Sequence, residues 1–221
     1  MVERQHSVEL DKCRPAVVSA GLLVEQIKVG TMANFVYLVV EDRSREAIVV
    51  DSGWETKPIL DAAKRLGAKV KFAVATHEHF DHVSSLAELG AAVGAKVVAH
   101  QYSPIDCDLK VRDGEELQIG GKAVRILHTP GHTEDSICLY DGSDVFTGDT
   151  LFVGTIGKFE RGMADSMYKS LHGVVLRLPS TTTLFPGHDY GEVPSRTLGE
   201  EKAANPFLMT RDYRSFLSLF S

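Results

Sequence analysis

The sequence is short of several things, and each shortage closes a route. Its three cysteines, Cys13, Cys107 and Cys138, stand far apart with no CxxC pair. They read as reduced, mostly buried thiols rather than a disulfide framework or a cysteine zinc site. No apolar run approaches the roughly 20 residues a membrane span needs. The N-terminal MVERQHSVELDKCRP lacks the apolar heart of a signal peptide, so the expected location is cytoplasmic, with no membrane partner. Basic charge is also scarce: 24 Lys and Arg against 30 Asp and Glu leave a net charge of -6, which gives no reason to expect nucleic acid. Pro- or Ser-rich linkers and low-complexity segments are absent from the 221 residues. The chain therefore reads as a single domain, 1–221, with an N-terminal arm over 1–21 and a helical C-terminal tail over 196–221.

Within that domain, short apolar runs alternate with helical patterns. FVYLVV (35–40) and EAIVV (46–50) read as neighbouring strands joined by the charged turn EDRSR. Thr56 is expected to cap a helix that has Pro58 near its start, Ile59, Leu60, Ala63 and Leu66 on one face, and Gly67 as its stop. The strand FAVAT (72–76) follows, then a helix from about His82 to Gly94 carrying Val83, Leu86 and Val93. KVVAH (96–100), AVRILHT (123–129), ICLY (137–140) and DVFTGD (144–149) are strand-like, and TLFP (183–186) reads as the last strand. Met167, Leu171, Val174, Val175 and Leu178 mark a helix. In the tail, Tyr213, Phe216, Leu217 and Phe220 form a stripe. It is expected to face the core, with a lid or a homodimer contact as the alternative.

What the chain has is histidine in concentrated form. THEHFDH (76–82) places His77, His79, Asp81 and His82 between a strand end and the start of a helix, out of a total of nine histidines. Neutral imidazole and carboxylate are good ligands for zinc or iron, and groups this close would crowd one another unless something bound them. Further candidates follow later strand ends: His132 in HTPGHT, Asp149 in FTGDT and His188 in FPGHDY. A glycine precedes each of these three, as expected where the backbone turns sharply to aim a side chain. EAIVVDSG and SDVFTGDT also echo one another, each a strand ending in Asp and a turn.

THEHFDH, HTPGHT, FTGDTLF and FPGHDY resemble the ordered motifs of the metallo-β-lactamase fold superfamily, from about Leu22 to Asn205. TGDTLFVG with GKF (157–159) is similar to the glyoxalase II (hydroxyacylglutathione hydrolase) group, and GHDYG with EEKAANPFL resembles both that group and the persulfide dioxygenases. The resemblance implies an α/β fold, an αββα sandwich with the metal site at one edge between the two sheets. It implies two divalent ions, zinc expected and iron or a mixed pair as alternatives. His77, His79 and His132 would hold one ion, Asp81, His82 and His188 the other, with Asp149 bridging. The implied activity is hydrolysis of a small anionic acyl-thioester by a metal-bridging hydroxide, which Asp81 would orient, with Lys158 and Tyr190 contacting substrate.

Two departures bear on the substrate. Glu160 stands where the glyoxalase group has tyrosine after GKF, and 33 residues follow His188, fewer than a glutathione-binding helical domain requires. The rival reading is a persulfide dioxygenase with one Fe(II) on His77, His132 and Asp149. That family has GCGRTDF where this chain reads GTIGKFE, so the hydrolase is the preferred expectation and lactonase activity a further alternative. Of the remaining polar residues, Asp51 is expected to support a loop, His128 to back a ligand, Asp189 to hold the loop beside His188, and Glu78 to point away.

Overall fold

The computed structural model describes residues 17–19 and 21–220; Cys13 and most of the expected N-terminal arm lie outside them. One sheet contains β1 (Val17–Ser19), β2 (Leu22–Val29), β3 (Asn34–Glu41), β4 (Glu46–Val50), β5 (Lys69–Val74), β6 (Lys96–His100) and β7 (Leu109–Val111), side by side in chain order. The second contains β8 (Glu116–Ile119), β9 (Lys122–His128), β10 (Ile137–Tyr140) and β11 (Asp144–Gly148). A small hairpin, β12 (Leu151–Phe152) with β13 (Thr155–Ile156), comes next. Then β14 (Thr183–Pro186) pairs parallel with β11, and β15 (Arg196–Thr197) closes the edge.

The sheets pack on each other through Tyr37, Val39, Ile48 and Val74 from the first and Ile126, Leu139, Phe146 and Phe185 from the second. On the outer face of the first sheet, Val36, Leu38 and Val40 meet Ile59 and Ala62 of α1 (Lys57–Leu66) and, beyond α2 (Phe80–Val83), Leu86 and Leu89 of α3 (Leu86–Val93). The second sheet is covered by α4 (Ala164–Lys169), α5 (Leu198–Ala204) and α6 (Tyr213–Ser218). This is the expected αββα sandwich. It explains why FVYLVV carries no polar alternation: a strand covered on both faces has no solvent side.

Three local expectations need correction. Thr56 stands at the head of α1 without capping it, because its hydroxyl donates to Glu88 Oε1 at 2.8 Å. The helix expected from His82 to Gly94 is broken in two: Ser84 and Ser85 turn their hydroxyls to the carbonyls of Gly53 and Ser52, a competition that interrupts helices. TLFP is followed by one more strand, β15, too short to carry a pattern. The helix around Met167 does form, but α4 widens into a π turn over Ser170–Val174 and tightens over Val175–Arg177. Among the described residues, no helix is long and apolar enough to cross a membrane.

The tail stripe divides. Phe216 is fully buried, with the rings of Tyr168 and Phe220 at 5.4 and 5.3 Å, while Leu217 and Phe220 remain exposed. Phe216→Ala should cost about 3–5 kcal/mol, whereas Met209→Ala, at an exposed position, should change stability by about 0.5 kcal/mol or less. Urea unfolding of the two variants checks both values.

Candidate metal centre

The site begins at the end of β4. Asp51 adopts a left-handed backbone conformation, φ 59°, which aspartate tolerates better than most residues. Its carboxylate accepts the Thr76 backbone N–H at 2.8 Å, the Thr76 hydroxyl at 2.9 Å and His82 Nδ1 at 2.8 Å. It therefore ties the end of β4 to the loop after β5. The carbonyl of His82 in turn accepts the backbone N–H groups of Ser52 and Gly53.

The other imidazoles are fixed the same way. Thr76 Oγ1 gives its hydrogen to Asp51 and accepts from His77 Nδ1 at 3.0 Å. His132 Nδ1 donates to the Lys158 carbonyl at 2.5 Å, and His188 Nδ1 to the Met32 carbonyl at 2.9 Å. An acceptor at Nδ1 fixes the ring and turns Nε2 inward, toward the position an ion would take. His79 uses the opposite nitrogen, its Nδ1 lying 2.8 Å from His132 Nε2.

All seven expected ligands converge. His77, His79 and His132 form one set and Asp81, His82 and His188 another, and the ligand atoms within each set lie within 4.8 Å of one another. Asp149 stands between them: Oδ1 is 3.3 Å from His82 Nε2, and Oδ2 is 3.5 Å from His132 Nε2 and 3.4 Å from His188 Nε2. Two features show that this donor set fits a cation. The Nε2 of buried His77 has no hydrogen-bond partner, although a buried polar atom ordinarily has one. His82 Nε2 and His188 Nε2 face each other at 3.1 Å, where one proton at most can sit between them.

The electrostatics follow from this crowding. Burial, reinforced by the neighbouring histidines, pushes His77 well below its usual range, so it stays neutral. Burial alone would raise Asp81 and Asp149, but the imidazoles and the Asn34 amide hold Asp81 well down, and His82, His188 and His132 hold Asp149 down. Burial would likewise lower His188, yet its bonds to Asp149 and Asp81 push it up to about 10.

The glycines preceding the ligands do different jobs. Gly148 has φ 49°, and a Cβ there would lie 2.5 Å from Thr76 Oγ1, so it serves both the turn and the close approach. At Gly187 no unusual φ is present; a Cβ would sit 2.5 Å from Asp149 Oδ1 and 2.9 Å from His82 Cε1. That glycine makes room for the cluster rather than turning the chain.

Lys158 follows Gly157, which packs on the Asp149 carbonyl so closely that a Cβ would overlap it. The loop thus returns over the metal edge. It lines an open pocket of about 610 Å³, together with Glu78, His79, His132, Glu134 and Glu160. Glu78 therefore faces the pocket and not away from it. Tyr190 approaches from the other side, stacked on His188 with centroids 4.5 Å apart and planes 9° from parallel. Asp189 pairs with Lys28 at 2.8 Å. His128, expected behind a ligand, instead stacks on His100 at 4.0 Å and reaches the Glu134 carbonyl. Asn34 and Trp54, unmarked in the sequence, stand behind Asp81: Asn34 Nδ2 donates to Asp81 Oδ2 at 2.8 Å and Trp54 Nε1 to Asn34 Oδ1 at 2.9 Å.

Two facing sheets with helices outside them, and a histidine–aspartate cluster at the strand ends, define the metallo-β-lactamase class of fold. The chain belongs to the metallo-beta-lactamase superfamily, whose family model matches residues 29–104 and 99–188. The human mitochondrial persulfide dioxygenase ETHE1 is 34% identical over 196 residues, spanning 86% of this chain and 77% of that one. A fission-yeast (Schizosaccharomyces pombe) protein named as a probable hydroxyacylglutathione hydrolase is 30% identical, over 83% of this chain and 86% of that one. Among solved structures, ETHE1 from Myxococcus xanthus superposes with a TM-score of 0.83 at 31% identity, covering 89% and 88% of the two chains.

A raised His188 has a measurable consequence. With its pKa near 10 in the metal-free protein, His188 carries a proton at neutral pH that a cation must displace. Adding zinc to metal-free protein at pH 7 should release about one proton more from wild type than from His188→Gln, read with a pH indicator in weak buffer. Affinity should rise with pH until His188 loses its proton unaided.

Proposed function

We propose that the chain is an iron-dependent persulfide dioxygenase. The observation that carries this reading is the likeness to persulfide dioxygenases along 86% of the chain, joined to a two-histidine, one-carboxylate arrangement. His77 lies within 4.8 Å of both His132 and Asp149 in ligand-atom distance, and His132 Nε2 is 3.5 Å from Asp149 Oδ2. That donor set suits Fe(II) and O₂ chemistry. The proposed reaction is RSSH + O₂ + H₂O giving RSH and sulfite with its protons. Bound Fe(II) would supply the one-electron chemistry that lets O₂ combine with a closed-shell sulfur anion.

The residues of the chain would do the rest. Thr76 and the Lys158 carbonyl hold the His77 and His132 rings in orientation. The pocket beside His79 and His132 admits the sulfur carrier, and the Lys158 ammonium offers a charge-assisted bond to a carboxylate on it. Tyr190, stacked on His188, walls the opposite side. The divergence of GTIGKFE from the dioxygenase loop falls on pocket residues. It therefore bears on which carrier is taken, and the metal ligands are untouched by it.

Acyl-thioester hydrolysis remains the second reading, favoured by the completeness of the Asp81, His82 and His188 set and by the likeness to the fission-yeast protein. A second ion there would supply the paired-metal chemistry expected from the sequence, with Asp81 orienting the attacking hydroxide.

The decisive comparison runs both assays on one preparation. Protein loaded anaerobically with Fe(II) should consume O₂ and form sulfite in equal amounts when given a low-molecular-weight persulfide. Asp149→Ala should lower that rate by about a hundredfold or more, since a ligand shared by both sets is lost. No O₂ uptake, with thiol released from a thioester by the zinc form, would overturn the dioxygenase in favour of the hydrolase.

Lys158→Ala should raise KM about tenfold to a hundredfold for a carrier bearing a carboxylate, the worth of one charge-assisted bond. With a neutral carrier it should leave KM unchanged, and kcat should move little in either case. Steady-state kinetics on the pair of carriers measures this selectivity.

A further inference from the structure

Asn34 opens β3 and is 1% exposed. Its backbone forms an isolated antiparallel bridge with His188. Its side-chain Nδ2 donates to Asp81 Oδ2 at 2.8 Å and to the Asp81 carbonyl at 3.2 Å. One residue thus touches two of the three members of the Asp81–His82–His188 set.

Trp54 decides which end of the amide faces Asp81. An indole N–H can only donate, and Trp54 Nε1 lies 2.9 Å from Asn34 Oδ1. With the oxygen end claimed, the NH₂ end must face the Asp81 carboxylate. The indole is itself held: it fills the space that a Cβ at Gly30 would occupy, 1.9 Å from Trp54 Cδ1, and meets the Phe80 ring edge-on at 5.2 Å. The bonded oxygen of Asp81 is the one turned into the set, 3.3 Å from His188 Nε2 and 3.5 Å from His82 Nε2. A carboxylate oxygen has two lone pairs, so the Asn34 bond fixes its direction and leaves one pair for an ion.

We propose that Asn34 is the positioning residue of the Asp81–His82–His188 set and governs its affinity for a divalent cation, with Trp54 fixing the orientation of the amide. This holds whether the reaction is oxygenation or hydrolysis, because it concerns the hold on the ion and not the chemistry done with it.

Zinc titration of the metal-free full-length chain tests it through two readouts that need no turnover. Competition with a chromogenic chelator separates the first and second equivalents. Tryptophan emission reports on Trp54 alone, because the sequence has one tryptophan. In wild type the second equivalent should change that emission. Asn34→Asp sets a carboxylate against Asp81 and should weaken the second equivalent by about tenfold to a hundredfold. The emission change should go with it, while the first equivalent keeps its wild-type affinity, a split that general loss of structure would not produce. Trp54→Phe leaves Asn34 in place but frees its amide to turn over. It should weaken the second equivalent by about tenfold, and it carries the test if Asn34→Asp does not fold. A wild-type chain that takes up one equivalent at saturating zinc, a second equivalent bound as tightly in Trp54→Phe as in wild type, or an equal loss of both equivalents would each overturn the proposal.

Discussion

The arrangement hangs on one carboxylate that is not among the expected ligands. Asp51 accepts from the Thr76 backbone, the Thr76 hydroxyl and His82 Nδ1. Those three bonds fasten β4 to the loop that carries His77, His79, Asp81 and His82. Through Thr76 the same carboxylate orients His77, and through His82 it reaches the Asp81 set. A buried carboxylate held by three donors has little freedom to turn, which is what rigid ligands require.

The internal echo of two strands ending in Asp thus has a structural meaning. Asp51, at the end of one strand, holds ligands from behind; Asp149, at the end of the other, stands among them. The two sheets each bring one carboxylate to the same edge, one as support and one as a candidate ligand. Neither role could be assigned from the residue type alone.

Legibility followed physical cause. Strands with both faces buried, such as FVYLVV and EAIVV, announced themselves because nothing polar interrupts them. β2 carries the buried polar pair Glu25 and Gln26, and β7 and β15 are too short for any period, so these left no pattern. The candidate ligands were legible because histidine and aspartate at strand ends are conspicuous in sequence. Apart from Asp51, their supports were not. The carbonyls of Met32 and Lys158 belong to no residue type, and Asn34 is an ordinary asparagine until the fold brings His188 and Asp81 to it. His128 misled for the converse reason: it sits in a ligand motif, but its strand position turns it toward His100. Glu78 shows the limit of alternation as a guide, since a side chain leaving the ligand cluster can still land in the pocket beside it.

The loop over residues 157–160 joins two tasks through different atoms of one residue. Lys158 steadies His132 with its main-chain oxygen and faces the pocket with its side chain. Main-chain support survives almost any replacement of the side chain, so this position can be rewritten over evolutionary time without disturbing the metal edge. Exposed Glu160 has similar latitude, while Phe159, packed on Phe216 and Phe220, has less and Gly157, wedged against Asp149, has none. The fold therefore keeps a fixed point at Gly157 beside a replaceable side chain at Lys158. Such an arrangement lets a lineage alter what the pocket accepts in small steps, each of which leaves the histidine–aspartate cluster intact.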